Sequence, residues 1–133
     1  MKKHVLIIDD EPIILKLLHF VLSKSYNVTA KNNGYDAVNW LEEGNLPDLI
    51  ILDLMMPYFN GTDFFKSLKI SGLYANIPVI VLTGNADTET IQAQLKFPVE
   101  LIMKKPFNPE KLKNAIESIF ESNKHRMEFE IAV

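Results

Sequence analysis

Short unbroken apolar runs alternate along this chain with segments whose apolar residues recur at helical spacing. Residues 5–8, 49–52 and 77–82 are such runs, the last broken only by Pro78. They are too short to span a membrane and suit strands buried on both faces. Residues 26–30 and 99–103 read as two further strands. Between them, Glu11-Pro12 opens a helix with proline in its first turn, where the missing N–H costs nothing. Its apolar face is Ile13, Ile14, Leu17, Leu18, Val21 and Leu22. Ala37, Val38 and Leu41 mark a second helix, ending near Gly44. Thr62 is the expected N-cap of a third, carrying Phe64, Phe65 and Leu68. Asp87 caps a fourth, whose only large anchors are Ile91 and Leu95, so it is the most loosely held. Asn108 caps and Pro109 opens the last, with Leu112, Ala115, Ile116, Ile119 and Phe120 as its stripe.

Five strands alternating with five helices predict an α/β fold, a parallel sheet covered on both faces. The expected arrangement is a flavodoxin-like, doubly wound five-stranded sheet of order 2-1-3-4-5, with its switch point between strands 1 and 3. The pattern fills residues 1–122 as one domain and leaves 123–133 as a C-terminal tail. In the tail, Met127, Phe129 and Ile131 alternate with Glu128 and Glu130. That spacing is strand-like and leaves two readings open, a frayed terminus or a short strand or hook that docks on the domain or on a second copy.

Composition narrows the function. The net charge is −3, and Arg126 is the one arginine among 14 basic residues. No basic stripe stands ready for phosphate or base contacts, which argues against direct nucleic-acid binding. There are no cysteines, hence no disulfide framework, which fits a reducing cytoplasm. The apolar run at the N-terminus stops at Asp9 after four residues, so it is neither a signal peptide nor a membrane anchor.

The polar residues that end the strands carry the chemistry. The first strand runs into Asp9-Asp10-Glu11 and the third into Asp53, one set on each side of the switch point. Carboxylates about 4 Å apart repel by roughly 1–4 kcal/mol per pair. A hard divalent cation with oxygen ligands is the natural neutraliser, and Mg2+ fits best. Thr83 ends the fourth strand, and Lys104-Lys105-Pro106 follows the fifth. Taken singly, these are a helix-start acid pair, a β-branched strand residue and a solvated turn. Together they put acids, a hydroxyl and a lysine on one rim. That set suits phosphoryl transfer to the Asp53 carboxylate, which needs positioning and charge neutralisation more than covalent help.

Four motifs, Val5-Leu6-Ile7-Ile8-Asp9-Asp10-Glu11-Pro12, Asp53-Leu54-Met55-Met56-Pro57 with Gly61, Thr83-Gly84 and Lys105-Pro106-Phe107, occur in that order. In combination they are specific, and over residues 4–122 the chain resembles the receiver domain of a two-component response regulator. The resemblance implies that Asp53 is the phosphoacceptor. It implies Asp10 and Asp53 as direct Mg2+ ligands, the Met55 backbone carbonyl as a third, and Asp9 supporting through water. Thr83 matches the switch hydroxyl, and Lys105, rather than Lys104, the lysine of the family, with the Lys105–Pro106 bond in cis. The implied role is a phosphorylation-dependent switch in a phosphorelay, not a turnover enzyme, with slow self-dephosphorylation. A histidine kinase or histidine phosphotransfer protein would supply the phosphoryl group. A downstream protein, or a second copy in a homodimer, would read the face made by helix 4, strand 5 and helix 5. With no output segment among the 133 residues, a single-domain, stand-alone type is expected. Departures are Gly84 for the usual alanine, Phe97-Pro98-Val99-Glu100 before strand 5, and Ile102 for the usual switch aromatic.

Competing readings fit less well. A flavodoxin cradles a cofactor phosphate after its first strand, where this chain has repelling acids. A haloacid-dehalogenase-type phosphatase needs Asp-x-Asp, absent at Asp9-Asp10 and at Asp53-Leu54-Met55. The alternative within the family is a receiver-like interaction module that works without phosphorylation. Such a module has no need to keep clustered charge.

Overall fold

The apolar runs are the strands of one parallel sheet. The computed structural model describes residues 2–84 and 87–132, with side chains as far as Lys124. In chain order it contains β1 (His4–Ile8), α1 (Pro12–Leu22), β2 (Asn27–Lys31), α2 (Gly34–Glu42) and β3 (Leu49–Asp53). There follow β4 (Met55–Met56), β5 (Phe59–Asn60), α3 (Gly61–Ile70), β6 (Val79–Thr83), α4 (Thr88–Leu95), β7 (Leu101–Lys104) and α5 (Pro109–Ala132). The main sheet has the order β2-β1-β3-β6-β7, all parallel, and β4 and β5 form a separate antiparallel pair. This is the expected 2-1-3-4-5 arrangement with a small hairpin inserted after the third strand.

Period-two alternation splits each apolar run between two cores. Leu6, Ile8, Ile50, Leu52, Val79 and Val81 face the layer of α2, α3 and α4, where Phe64, Phe65, Leu68 and Leu95 are buried. Val5, Ile7, Leu49, Ile51, Ile80 and Leu82 face α1 and α5, packing on Leu18, Leu22, Leu112 and Ile116. A strand buried on both faces has no polar position to spare until its end. Asp9, which follows β1, and Asp53, which ends β3, therefore fall together at the rim, because β1 and β3 pair from Val5↔Leu49 to Ile8↔Leu52.

Several local expectations shift. Thr62 does not cap α3; Asn60 does, its side chain accepting from the Asp63 N–H. Asparagine is the stronger cap, and starting the helix two residues earlier lets the hairpin feed directly into it. Asp87 caps α4, accepting from the Thr90 N–H, and Asn108 caps α5, accepting from the Glu110 and Lys111 amides. The expected apolar face of α1 is covered in part. Leu18 and Leu22 are buried and Ile14 and Val21 pack beside them, but Ile13 and Leu17 are 80% and 37% exposed. The tail is not a strand: α5 runs helical to Ala132. No glycine or proline interrupts residues 110–132, so nothing in the backbone chemistry stops the helix. The side chains of Met127, Phe129 and Ile131 lie outside the described residues, as does the loop pair Asn85-Ala86.

Candidate functional site

The acid that follows β1 and the acid that ends β3 are held alike. Asp9 is fully buried, and its Oδ1 accepts the Glu11 N–H at 2.9 Å. Asp53 is 2% exposed, and its Oδ1 accepts the Met55 N–H at 3.0 Å. Each carboxylate thus bonds the amide two residues on, the local turn that aspartate favours. That contact fixes one oxygen and turns the other toward the rim.

Lys105 meets those free oxygens from β7's end. Its Nζ lies 2.8 Å from Asp9 Oδ2, 2.8 Å from Glu11 Oε1 and 3.3 Å from Asp53 Oδ2. The approach to Asp9 Oδ2 is a charge contact and leaves that buried oxygen without a directed hydrogen bond. The Lys105–Pro106 peptide is cis, and the Lys105 N–H donates to the Thr83 carbonyl at 2.8 Å. Lys104, by contrast, is exposed at the strand end.

The electrostatics follow from burial. Burial pushes the Asp53 carboxyl up to about 6; the Met55 N–H opposes this, neighbouring Asp9 adds to it, and Lys105 opposes it. Burial likewise raises Asp9, against the Lys105 and Glu11 contacts. Burial alone would lower Lys105, but its contacts with Asp9 and Glu11 outweigh that and hold the ammonium above its usual range.

A metal ion fits this set. Asp9, Asp10, Glu11 and Asp53 each offer a carboxylate oxygen, and the four oxygens lie within 4.8 Å of one another. The donors are all hard oxygens, and Asp9 Oδ2 is buried with no directed hydrogen bond. Met55 begins β4 beside them, its amide already turned into the site. Thr83 is fully buried at the end of β6, on the next strand from Asp53. The structure therefore gathers Asp9, Asp10, Asp53, Met55, Thr83 and Lys105 at one rim.

The response regulator receiver domain family matches residues 5–117. The chain belongs to that family. The receiver domain is 34% identical over 120 residues to the phosphate regulon transcriptional regulatory protein PhoB of Escherichia coli, covering 90% of this chain and 52% of that one. It is 36% identical over 112 residues to the two-component response regulator ORR22 of rice, covering 83% of this chain and 16% of that one. It thus spans about half the length of PhoB and less of the rice protein. Among solved structures, the chemotaxis response regulator CheY4 of Vibrio cholerae superposes with a TM-score of 0.81 at 27% identity, covering 90% of this chain and 99% of that one. The receiver domain is a module of phosphorylation-dependent two-component signalling. No helix among its described residues is long and apolar enough to cross a membrane.

Three features of this receiver domain escaped the sequence reading. Glu11 pairs with Lys105 across 94 residues, although the sequence shows only a helix-start acid. The β4–β5 hairpin, with Tyr58 at a φ of 60°, closes the loop after Asp53. Phe59 packs against Gly34 at the start of α2. The one local signal was Asn60-Gly61, a turn and cap pair that marks where the hairpin ends. Ile102 is half-buried in β7, packed on the α2–α4 side of the sheet, and lines a surface groove with Glu89, Gln92 and Glu100.

Proposed function

We propose that Asp53 accepts a phosphoryl group from a phosphohistidine of a kinase or phosphotransfer protein, or from a small acyl phosphate. The convergence of four carboxylate oxygens within 4.8 Å, with Lys105 drawn onto them, carries this reading. An Asp53 oxygen attacks phosphorus, and the P–N bond to histidine, or the P–O bond of the acyl phosphate, breaks. The leaving group keeps the electron pair. Asp53 must be ionised to attack, and the Met55 N–H and Lys105 favour that form. Lys105 stands ready to hold a phosphoryl oxygen, and the Thr83 hydroxyl, at the end of the neighbouring strand β6, would hold another.

Asp10, Asp53 and the Met55 carbonyl would hold Mg2+, with Asp9 supporting through water. The bound ion supplies charge neutralisation on the transferring oxygens. The chain then acts as a switch rather than a turnover enzyme. Its signal leaves by protein contact at the face of α4, β7 and α5, to a partner or a second copy. Clustered buried acids whose pKa values are raised cost stability, so a purely structural interaction module gains nothing by keeping them.

Intact mass after acetyl phosphate treatment in Mg2+ tests the assignment. Wild type should gain one phosphate and Asp53→Ala none. Labelling that persists undiminished in Asp53→Ala overturns it.

A further inference from the structure

We propose that Phe59 is a positioning residue for Asp53, seated on the bare backbone of Gly34 and holding the Met55 amide in place through the β4–β5 hairpin. The proposal rests on Asp53 being the phosphoacceptor and goes beyond it by naming a control point outside the acid cluster. The Asp53 carboxylate has two orienting contacts, the Met55 N–H at 3.0 Å and Lys105 at 3.3 Å. The first belongs to the hairpin, where Met55 pairs with Asn60 and Met56 with Phe59. A two-residue ladder is too short to hold itself together in water, so its geometry is set by what it docks on.

Two close approaches do the docking. A Cβ on Gly61 would stand 2.8 Å from Leu54 Cα and 2.9 Å from its carbonyl oxygen, so the two ends of the hairpin segment touch backbone to backbone. A Cβ on Gly34 would overlap the Phe59 ring itself. Gly34 has an ordinary backbone conformation; the need there is for space, not for a positive φ. The ring is fixed from its sides by Tyr35, 5.9 Å between centroids, and Phe64, 5.5 Å. The start of α2, the hairpin and α3 are therefore joined through one side chain, six residues after Asp53. Releasing the ring frees the Met55 amide, and with it one of the two contacts that aim the carboxylate.

The test compares Phe59→Ala, Phe59→Met, Gly34→Ala and the double variant, all at a temperature where circular dichroism shows them folded. Backbone amide exchange, Mg2+ titration by NMR and the rate of labelling by acetyl phosphate are the readouts. In Phe59→Ala the Met55 amide should exchange faster while those of β3 and β6 stay as in wild type. Labelling should slow by about tenfold or more, as expected for a misplaced reacting group. Methionine is flexible enough to reach Gly34, so Phe59→Met should remain close to wild type. Gly34→Ala should reproduce the Phe59→Ala defect, and the double variant should be no worse than either single one, because ring and methyl compete for the same space. A merely structural contact would lower the melting temperature but leave Met55 exchange, Mg2+ affinity and labelling rate unchanged, and that result overturns the proposal. Should Phe59→Ala not fold, Gly34→Ala and Phe59→Met carry the same readouts. If wild type itself takes no phosphate, the assignment of Asp53 fails on its own, and the positioning role stands or falls on Met55 exchange and Mg2+ affinity.

Discussion

The Lys105 ammonium sits closer to Glu11, at 2.8 Å, than to Asp53, at 3.3 Å. Glu11 is half exposed and stands at the N-cap position just before α1, so it competes for the lysine from the solvent side. Replacing it by glutamine leaves Lys105 with Asp9 and Asp53 only. A pair this exposed is worth up to about 1 kcal/mol, so Glu11→Gln should raise the labelling rate by up to about fivefold. Stopped-time labelling with acetyl phosphate at saturating Mg2+ measures this. A fall in rate would show that Glu11 serves the site directly rather than competing for its lysine.

Burial raises the Asp53 carboxyl from 3.8 to about 6. A carboxyl raised on folding binds its proton more tightly in the folded state, so its ionisation costs stability as pH rises from about 4 to about 6. Above that range the cost is complete, on the order of 1–3 kcal/mol. Asp53→Asn should therefore melt higher than wild type at pH 7.5 without Mg2+, and the difference should shrink as pH falls toward 4. Calorimetry at several pH values checks the sign. Wild-type labelling should also decline below pH 6, as the acceptor takes up its proton.

Mg2+ should stabilise the fold by relieving repulsion among Asp9, Asp10, Glu11 and Asp53. At a concentration tenfold above Kd the gain is about 1.4 kcal/mol by mass action. That corresponds to a rise in melting temperature of about 4–6 °C. Asp10→Asn should lose most of the rise. An equal rise in both proteins would place the ion elsewhere.

Phosphorylation should be read out through α4. Moving the Thr83 hydroxyl toward a phosphate pulls on Gly84, a residue cheap to rearrange. The chain then enters α4, which is anchored by Ile91 and Leu95 alone among its buried residues. Amide exchange should change most over residues 84–97 when beryllofluoride is added. Flat protection there, with change on another face, would rule the route out. Ile102 is β-branched and stiff at χ1; Ile102→Tyr with a large gain in partner binding would show that an aromatic had been limiting the switch.

The sequence by itself determined the sheet and the rim. Uninterrupted apolar runs at 5–8, 49–52 and 79–82 have no solvent-facing positions, so they had to be central parallel strands, and the polar residue ending each had to lie at an edge. Caps at Asp87 and Asn108 were legible because capping is local chemistry. Tertiary structure decided the rest. The exposed Ile13 and Phe20 share a helix with the buried Leu18 and Leu22, and only the neighbours of α1 determine which stripe is covered. The lysine that follows β7 meets Glu11 and Asp53 only because parallel pairing carries strand ends 94 and 52 residues apart to one rim. Hydrophobic period and turn chemistry are short-range and can be read along the chain. The distance between two charges is fixed only once the whole sheet has closed its register.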